Sequence, residues 1–136
     1  MGVYLDLLEL ATRTLADNPG APEITSIGID DYYMYGPRVQ MQLRAAEPHV
    51  RASAVAHWAA RLGGAVELTD RDSYVHVAAT SIVEGRTVEI WTNLGTREAD
   101  RLLALAGGKF NSSGRAYVDP ARWSSDAIEQ ATRAVA

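Results

Sequence analysis

The chain contains no cysteine. That absence removes disulfides, thiolate nucleophiles and cysteine-ligated metals together, and it fits a cytoplasmic protein. Long apolar runs are missing too: nothing approaches the roughly 18 consecutive residues that a membrane span requires. The N-terminal Met-Gly-Val-Tyr-Leu-Asp has no basic stretch, so no secretory signal is expected. Asp6 stands where a myristoylation signal carries Ser or Thr. Positive charge is also in deficit. A formal net charge of −4 gives the chain as a whole no attraction for nucleic acid or an anionic membrane. Nucleic-acid contact therefore requires a local basic face, and no membrane partner is expected.

What is present is ordinary for a folded domain. The 136 residues are 47% hydrophobic and 22% charged, which argues against disorder and for one globular domain over residues 1–136. No internal repeat, low-complexity tract or linker interrupts it.

Apolar periodicity divides the chain into helices and strands. Residues 3–17 carry the rows Val3, Leu7, Leu10, Thr14 and Tyr4, Leu8, Ala11, Leu15, the broad stripe of a helix packed on a core, which ends at Asn18-Pro19-Gly20. Glu23 to Asp30 reads as a strand, and Asp31 to Pro37 as a turn. Arg38 to Arg44 alternates most cleanly, with Val39, Met41 and Leu43 to one side and Arg38, Gln40, Gln42 and Arg44 to the other. A second helix begins near Pro48, with Val50, Ala54, Trp58 and Leu62 on its apolar face, and stops at Gly63-Gly64. Strands follow at 65–69, 73–82 and 86–92, with Val66, Leu68, Val75, Val77, Ala79, Val88 and Ile90 inward. Glu67, Tyr74, His76, Glu89 and Trp91 then face outward. A third helix is N-capped by Thr96 and ends at Gly107-Gly108, Arg115–Val118 forms a short strand within a mostly loop segment, and a last helix starts after Asp119-Pro120 or at Ser124 or Ser125. The expected fold is α+β: an antiparallel sheet of about five strands with amphipathic helices on one face, in the order α-β-β-α-β-β-β-α-(β)-α.

Candidate chemistry is sparse. Gly107-Gly108-Lys109 fails as a phosphate loop, because Leu103 and Phe110 occupy the positions that need Gly and Ser or Thr, and the glycines follow a helix. His49 and His57 are too far apart to share one helical metal face. Asp30-Asp31 and Asp70-x-Asp72 are acids in turns, and Ser112-Ser113-Gly114 is no nucleophile elbow. No catalytic set, cofactor or metal site is expected.

Two surfaces remain as binding candidates. One is the outward sheet face, where Arg38, Gln40, Gln42 and Arg44 join Tyr74, His76 and Trp91 in a polar and aromatic platform. Such a face suits either a protein partner or stacked single-stranded bases. Glu67 and Glu89 share it, so charge favours protein contact, including self-association, over nucleic acid. An enzyme built on His76 with Glu89 is a third reading, which requires a cleft holding both. The other candidate surface is the loop carrying Tyr32, Tyr33 and Tyr35, richer in aromatics than a turn requires.

The stretch Trp58-Ala-Ala-Arg-Leu-Gly-Gly, through Tyr74-Val-His-Val, to Gly85-Arg86-Thr87-Val88-Glu89-Ile90-Trp91 resembles uncharacterised small α+β proteins of high-GC actinobacteria and their phages or plasmids. The resemblance covers mainly residues 47–93 and brings no activity with it. It implies a phage or mobile-element context, with an accessory, interaction or virion role and a cytoplasmic or virion-associated location.

Overall fold

Leu7, Leu10, Ala11 and Thr14 fall on one side of helix α1 (Gly2–Ala16), and their burial fixes how this helix meets the sheet. The structure, a computed structural model, describes residues 2–32, 36–43 and 47–135. After α1 come the hairpin strands β1 (Ile24–Tyr32) and β2 (Gly36–Leu43), helix α2 (Pro48–Leu62), and three strands β3 (Val66–Asp70), β4 (Val75–Val83) and β5 (Arg86–Leu94). Helix α3 (Thr96–Leu105), strand β6 (Arg115–Val118), a single 3-10 turn at Pro120–Trp123 and helix α4 (Ser125–Val135) complete the chain.

The strands form one six-stranded sheet in the order β1-β2-β5-β4-β3-β6, so the fold is α+β. All neighbours pair antiparallel except β2 and β5, which are parallel. This corrects the expected antiparallel sheet of about five strands on two counts. Arg115–Val118 pairs with β3 and supplies a sixth strand at the edge. The chain also leaves β2 through α2, and the β3–β4–β5 meander returns it beside β2 running the same way. A helical crossover is the usual means of setting two strands parallel.

Turn chemistry supports the meander. Glu84 and Gly85, both at positive φ (53° and 76°), form the two-residue link between β4 and β5. Two consecutive left-handed residues match the twist of a tight hairpin. Gly63, at φ 78°, ends α2, and the Gly64 N–H reaches back to the Ala59 carbonyl. Gly64 also passes so near the Thr80 carbonyl that a Cβ would sit 2.9 Å from that oxygen, so this position accepts little but glycine.

The core lies on one side of the sheet. Val39, Met41, Val66, Leu68, Val75, Val77, Ala79, Val88 and Ile90 are fully buried, as their alternation predicts. Helix α1 packs on β1 and β2, whereas α2 lies mainly over β4 and β5. Four buried alanines on α2 (Ala52, Ala54, Ala56 and Ala59) allow it close to its neighbours, and Trp58 fills the remaining volume. Val50, expected on the apolar face, is instead exposed, because it lies in the first turn of α2 beyond the edge of the packed stripe.

Two tryptophans tie the irregular segments down. The buried Trp58 donates its indole N–H to the Pro22 carbonyl at 3.2 Å, anchoring the α1–β1 connection. Trp123 donates to the Leu102 carbonyl at 2.8 Å and holds the Pro120–Trp123 turn against α3. Helix α4 then packs on α2 and α3, inside the helix layer, with Ile128 buried. The expected cap of α3 shifts by one residue: Gly95 occupies the N-cap and Thr96 is already helical.

Trp58→Phe is expected to cost about 1 kcal/mol, the value of one lost hydrogen bond. Trp58→Ala is expected to cost roughly 3–5 kcal/mol through the cavity it leaves. Urea denaturation midpoints of the two variants against wild type test this ordering.

Candidate functional site: the outward face of the sheet

The alternation that buries one side of each strand puts the other side in a single outward array. Register aligns Ser26, Gln42, Trp91, Ala78, Glu67 and Tyr117 in one row across all six strands. A second row joins Gly28, Gln40, Glu89 and Thr80, and a third joins Asn93, His76, Thr69 and Arg115. Because α1 and α2 pack from the opposite side and α4 packs on helices, the described helices leave this array uncovered.

Glu89 is the centre of the array. Its Oε1 accepts a hydrogen bond from Gln40 Nε2 at 3.1 Å and lies 3.5 Å from His76 Nε2. The other ring nitrogen of His76 is 3.3 Å from Asn93 Oδ1, so the imidazole is held at both ends. The ring also packs on Trp91, with centroids 5.3 Å apart and a 33° tilt. Since Glu89 and His76 pair with Thr80 and Asn93 respectively, meeting requires both side chains to lean along their strands. They lean over the short side chain of Ala78, which is buried although it faces outward.

Burial pushes the Glu89 carboxyl toward a higher pKa, but hydrogen bonds from His76 and Gln40 and the charges of His76 and Arg38 outweigh it. The net effect holds this carboxyl below its ordinary value of 4.5. At the far edge, Arg115 pairs with Glu67 at 3.5 Å across β6 and β3. Among the described side chains, Arg38 and Arg115 thus accompany Glu67 and Glu89, and these four charges balance.

Of the residues singled out from sequence, Arg38, Gln40, Gln42, His76 and Trp91 come together on this face. Tyr74 lies just before β4, at the rim, and is exposed. Arg44, Tyr33 and Tyr35 lie outside the described residues. Tyr32, expected in the turn, is instead the last residue of β1, paired with Gly36, because the hairpin continues past Asp31. Sequence reasoning left out Tyr117, which β6 presents outward opposite Glu67. The Arg-Ala-Tyr-Val alternation was its only signal, and four residues are too few for that period to stand out.

A separate depression of about 410 Å³ lies between α2 and the Pro120–Trp123 turn, lined in part by His57, Asp119 and Ser125. Its polar groups serve local structure. Asp119 Oδ1 accepts the Ala121 N–H, Ser124 Oγ accepts the Ala127 N–H, and the Ser53 and Ser125 hydroxyls bond each other at 2.8 Å. The Gly107-Gly108 pair closes α3: Gly107 is left-handed at φ 72° and Gly108 N–H bonds the Leu103 carbonyl. Among the described residues no group of three or more His, Asp or Glu side chains is placed to hold a metal ion. No described helix is long and apolar enough to cross a membrane.

No family model matches the chain, and no curated protein or solved structure matches it either.

A carboxylate with a depressed pKa stabilises the fold above its unfolded-state pKa and loses that contribution as pH falls through its folded-state pKa. Glu89→Gln removes the contribution. The stability gap between wild type and Glu89→Gln, read from urea midpoints, is therefore expected to be largest near neutral pH and to close as pH falls below about 4.5. A gap that stays constant across that window would contradict the placement of Glu89.

Proposed function

We propose that the chain is a non-enzymatic interaction or accessory protein that binds a protein partner through the outward face of its sheet. The observation that carries this reading is the uncovered row Gln42–Trp91–Ala78–Glu67–Tyr117 beside the fixed Glu89–His76 pair. Aromatic side chains and arginines among neutral polar groups make the compositional mix in which a few residues carry most of a protein contact's energy. Trp91 is held by its packing on His76, and Glu89 by Gln40, so little side-chain freedom remains to be lost on binding. An accessory role in a phage or mobile-element setting, which the resemblance of residues 47–93 implies, accords with a contact protein.

Charge weighs against nucleic acid. Among the described side chains Glu67 and Glu89 share the face with Arg38 and Arg115, and Arg115 is already paired with Glu67. As for catalysis, His76 and Glu89 meet on an open sheet surface whose neighbours hold both ends of the imidazole. A reacting group would have to displace Asn93 or Glu89 to reach it.

Selection of displayed random peptides on the immobilised protein tests the proposal. Selected peptides are expected to lose at least tenfold in affinity on Trp91→Ala or Tyr117→Ala and to keep it on Val50→Asp, which lies on the helix side. Peptides indifferent to both face variants would refute the assignment. Salt-sensitive binding of single-stranded oligonucleotides that Arg38→Ala abolishes would replace it with the nucleic-acid reading.

A further inference from the structure

Helix α1 is apolar over more of its circumference than the core covers. At about 100° per residue, Leu7, Leu10, Ala11 and Thr14 define the buried face. Asp6 and Arg13 lie on one flank of that face and reach the β4–β5 turn region, Asp6 to Arg86 at 3.2 Å and Arg13 to Glu84 at 2.8 Å. Those partners lie beyond β2 from β1 in the strand order. Leu5, 51% exposed, points away from the sheet, whereas Tyr4 and Leu8, 57% and 48% exposed, lie on the flank opposite Asp6 and Arg13. With α1 packed on β1 and β2, the flank of Tyr4 and Leu8 is the side of the β1 edge. Ile27 gives the same picture from the sheet. It shares the inward face with its partner Met41, which is fully buried, yet Ile27 is 42% exposed, so the helix layer covers β1 only in part.

Strand β1 is also an open edge. Its nine residues contain no lysine and no proline, and the register shift between Ile24 and Ser26 is confined to its start. The other edge, β6, has only four residues. Natural sheets blunt exposed edges with short strands, charges, prolines or bulges; β6 is short, and on β1 the register shift and the Asp30-Asp31 charges sit at the two ends, leaving the middle of the strand without such a device.

We infer that β1 and the uncovered flank of α1 together form a homodimer interface, in which β1 pairs antiparallel with β1 of a second copy about a two-fold axis. A lone peptide strand would satisfy the β1 edge but leave Tyr4 and Leu8 in water, and a lone helix would do the reverse. A second copy brings a strand and a helix at matching heights, because a two-fold interface places the same patch on both sides. The size is sufficient. Nine residues of strand run about 30 Å and a sheet with one helix layer is about 20 Å thick, which gives roughly 600 Å² of flat area per copy. Two such faces reach the roughly 1,200 Å² at which specific interfaces begin. Charge permits the pairing as well. In a register centred on Gly28, which keeps each face of β1 beside the same face of its copy, Asp30 and Asp31 fall opposite the second copy's Ser26 and Thr25, so no acid opposes another. This surface is distinct from the outward sheet face, and the two proposals fail separately.

Sedimentation equilibrium of wild type, Ile27→Lys, Leu8→Glu and Trp91→Ala tests the inference, with circular dichroism confirming that each variant is folded. Wild type and Trp91→Ala are expected at twice the monomer mass. Ile27→Lys and Leu8→Glu are expected to weaken dimerisation at least tenfold. Two separate elements are changed, so misfolding of one variant leaves the other to decide. A wild-type monomer at high micromolar concentration, a species larger than a dimer, or a dimer lost only on Trp91→Ala would overturn the interface without touching the fold.

Discussion

The parallel register between β2 and β5 is the constraint on which the rest of the molecule depends. It joins two antiparallel units, the β1–β2 hairpin and the β5–β4–β3–β6 array, into one sheet. On the inward side it sets Val39 beside Val88 and Met41 beside Ile90, which seals the middle of the core under α1 and α2. On the outward side the same pairing sets Gln40 beside Glu89 and Gln42 beside Trp91. A slip of one residue would turn Val39 and Met41 into water and bury Gln40 and Gln42, so the hydrophobic pattern holds the register in place. The polar cluster around Glu89 is thus a consequence of core packing.

Chain connectivity makes this pairing possible. Helix α2 carries the chain from β2 over the inward face, and its alanine-lined contact surface lets it lie close to the strands beneath. The four described helices are then used on one side. The opposite side receives no cover from them, and the chain meets that exposure with hydrogen bonds and ion pairs: Gln40 and His76 on Glu89, Asn93 on His76, and Arg115 on Glu67. These contacts fix side chains that on a plain solvated sheet would remain mobile. A surface fixed in advance loses less entropy when it binds, which is the physical reason to place a contact function there.

Much of this was legible in the residues. The alternation Arg38-Val39-Gln40-Met41-Gln42-Leu43 assigned both faces of β2, and the same logic assigned Val75 and Val77 inward and His76 outward on β4. What alternation does not encode is which strand stands next to which. A period of two assigns a face and leaves the neighbour undetermined, so the parallel β2–β5 pair had no local signature, whereas His76 and Glu89 could be considered together because alternation put both on the outward face. A polar face also suggested purely antiparallel pairing, because parallel strands are usually covered on both sides. Here one parallel pair sits among antiparallel neighbours and keeps their one-sided pattern. The Tyr117 side of the array was hidden for a simpler reason, since β6 is short and follows a loop with strong turn chemistry at Asn111 to Gly114.

Backbone proton contacts measured by nuclear Overhauser spectroscopy test the β2–β5 register most directly. The account predicts cross-strand contacts that link Gln40 with Glu89 and Gln42 with Trp91 in the pattern of parallel strands, alongside the antiparallel pattern between β4 and β5. Short α-proton to α-proton contacts between β2 and β5, the mark of antiparallel pairing, would contradict it, as would a β5 strand with no contacts to β2.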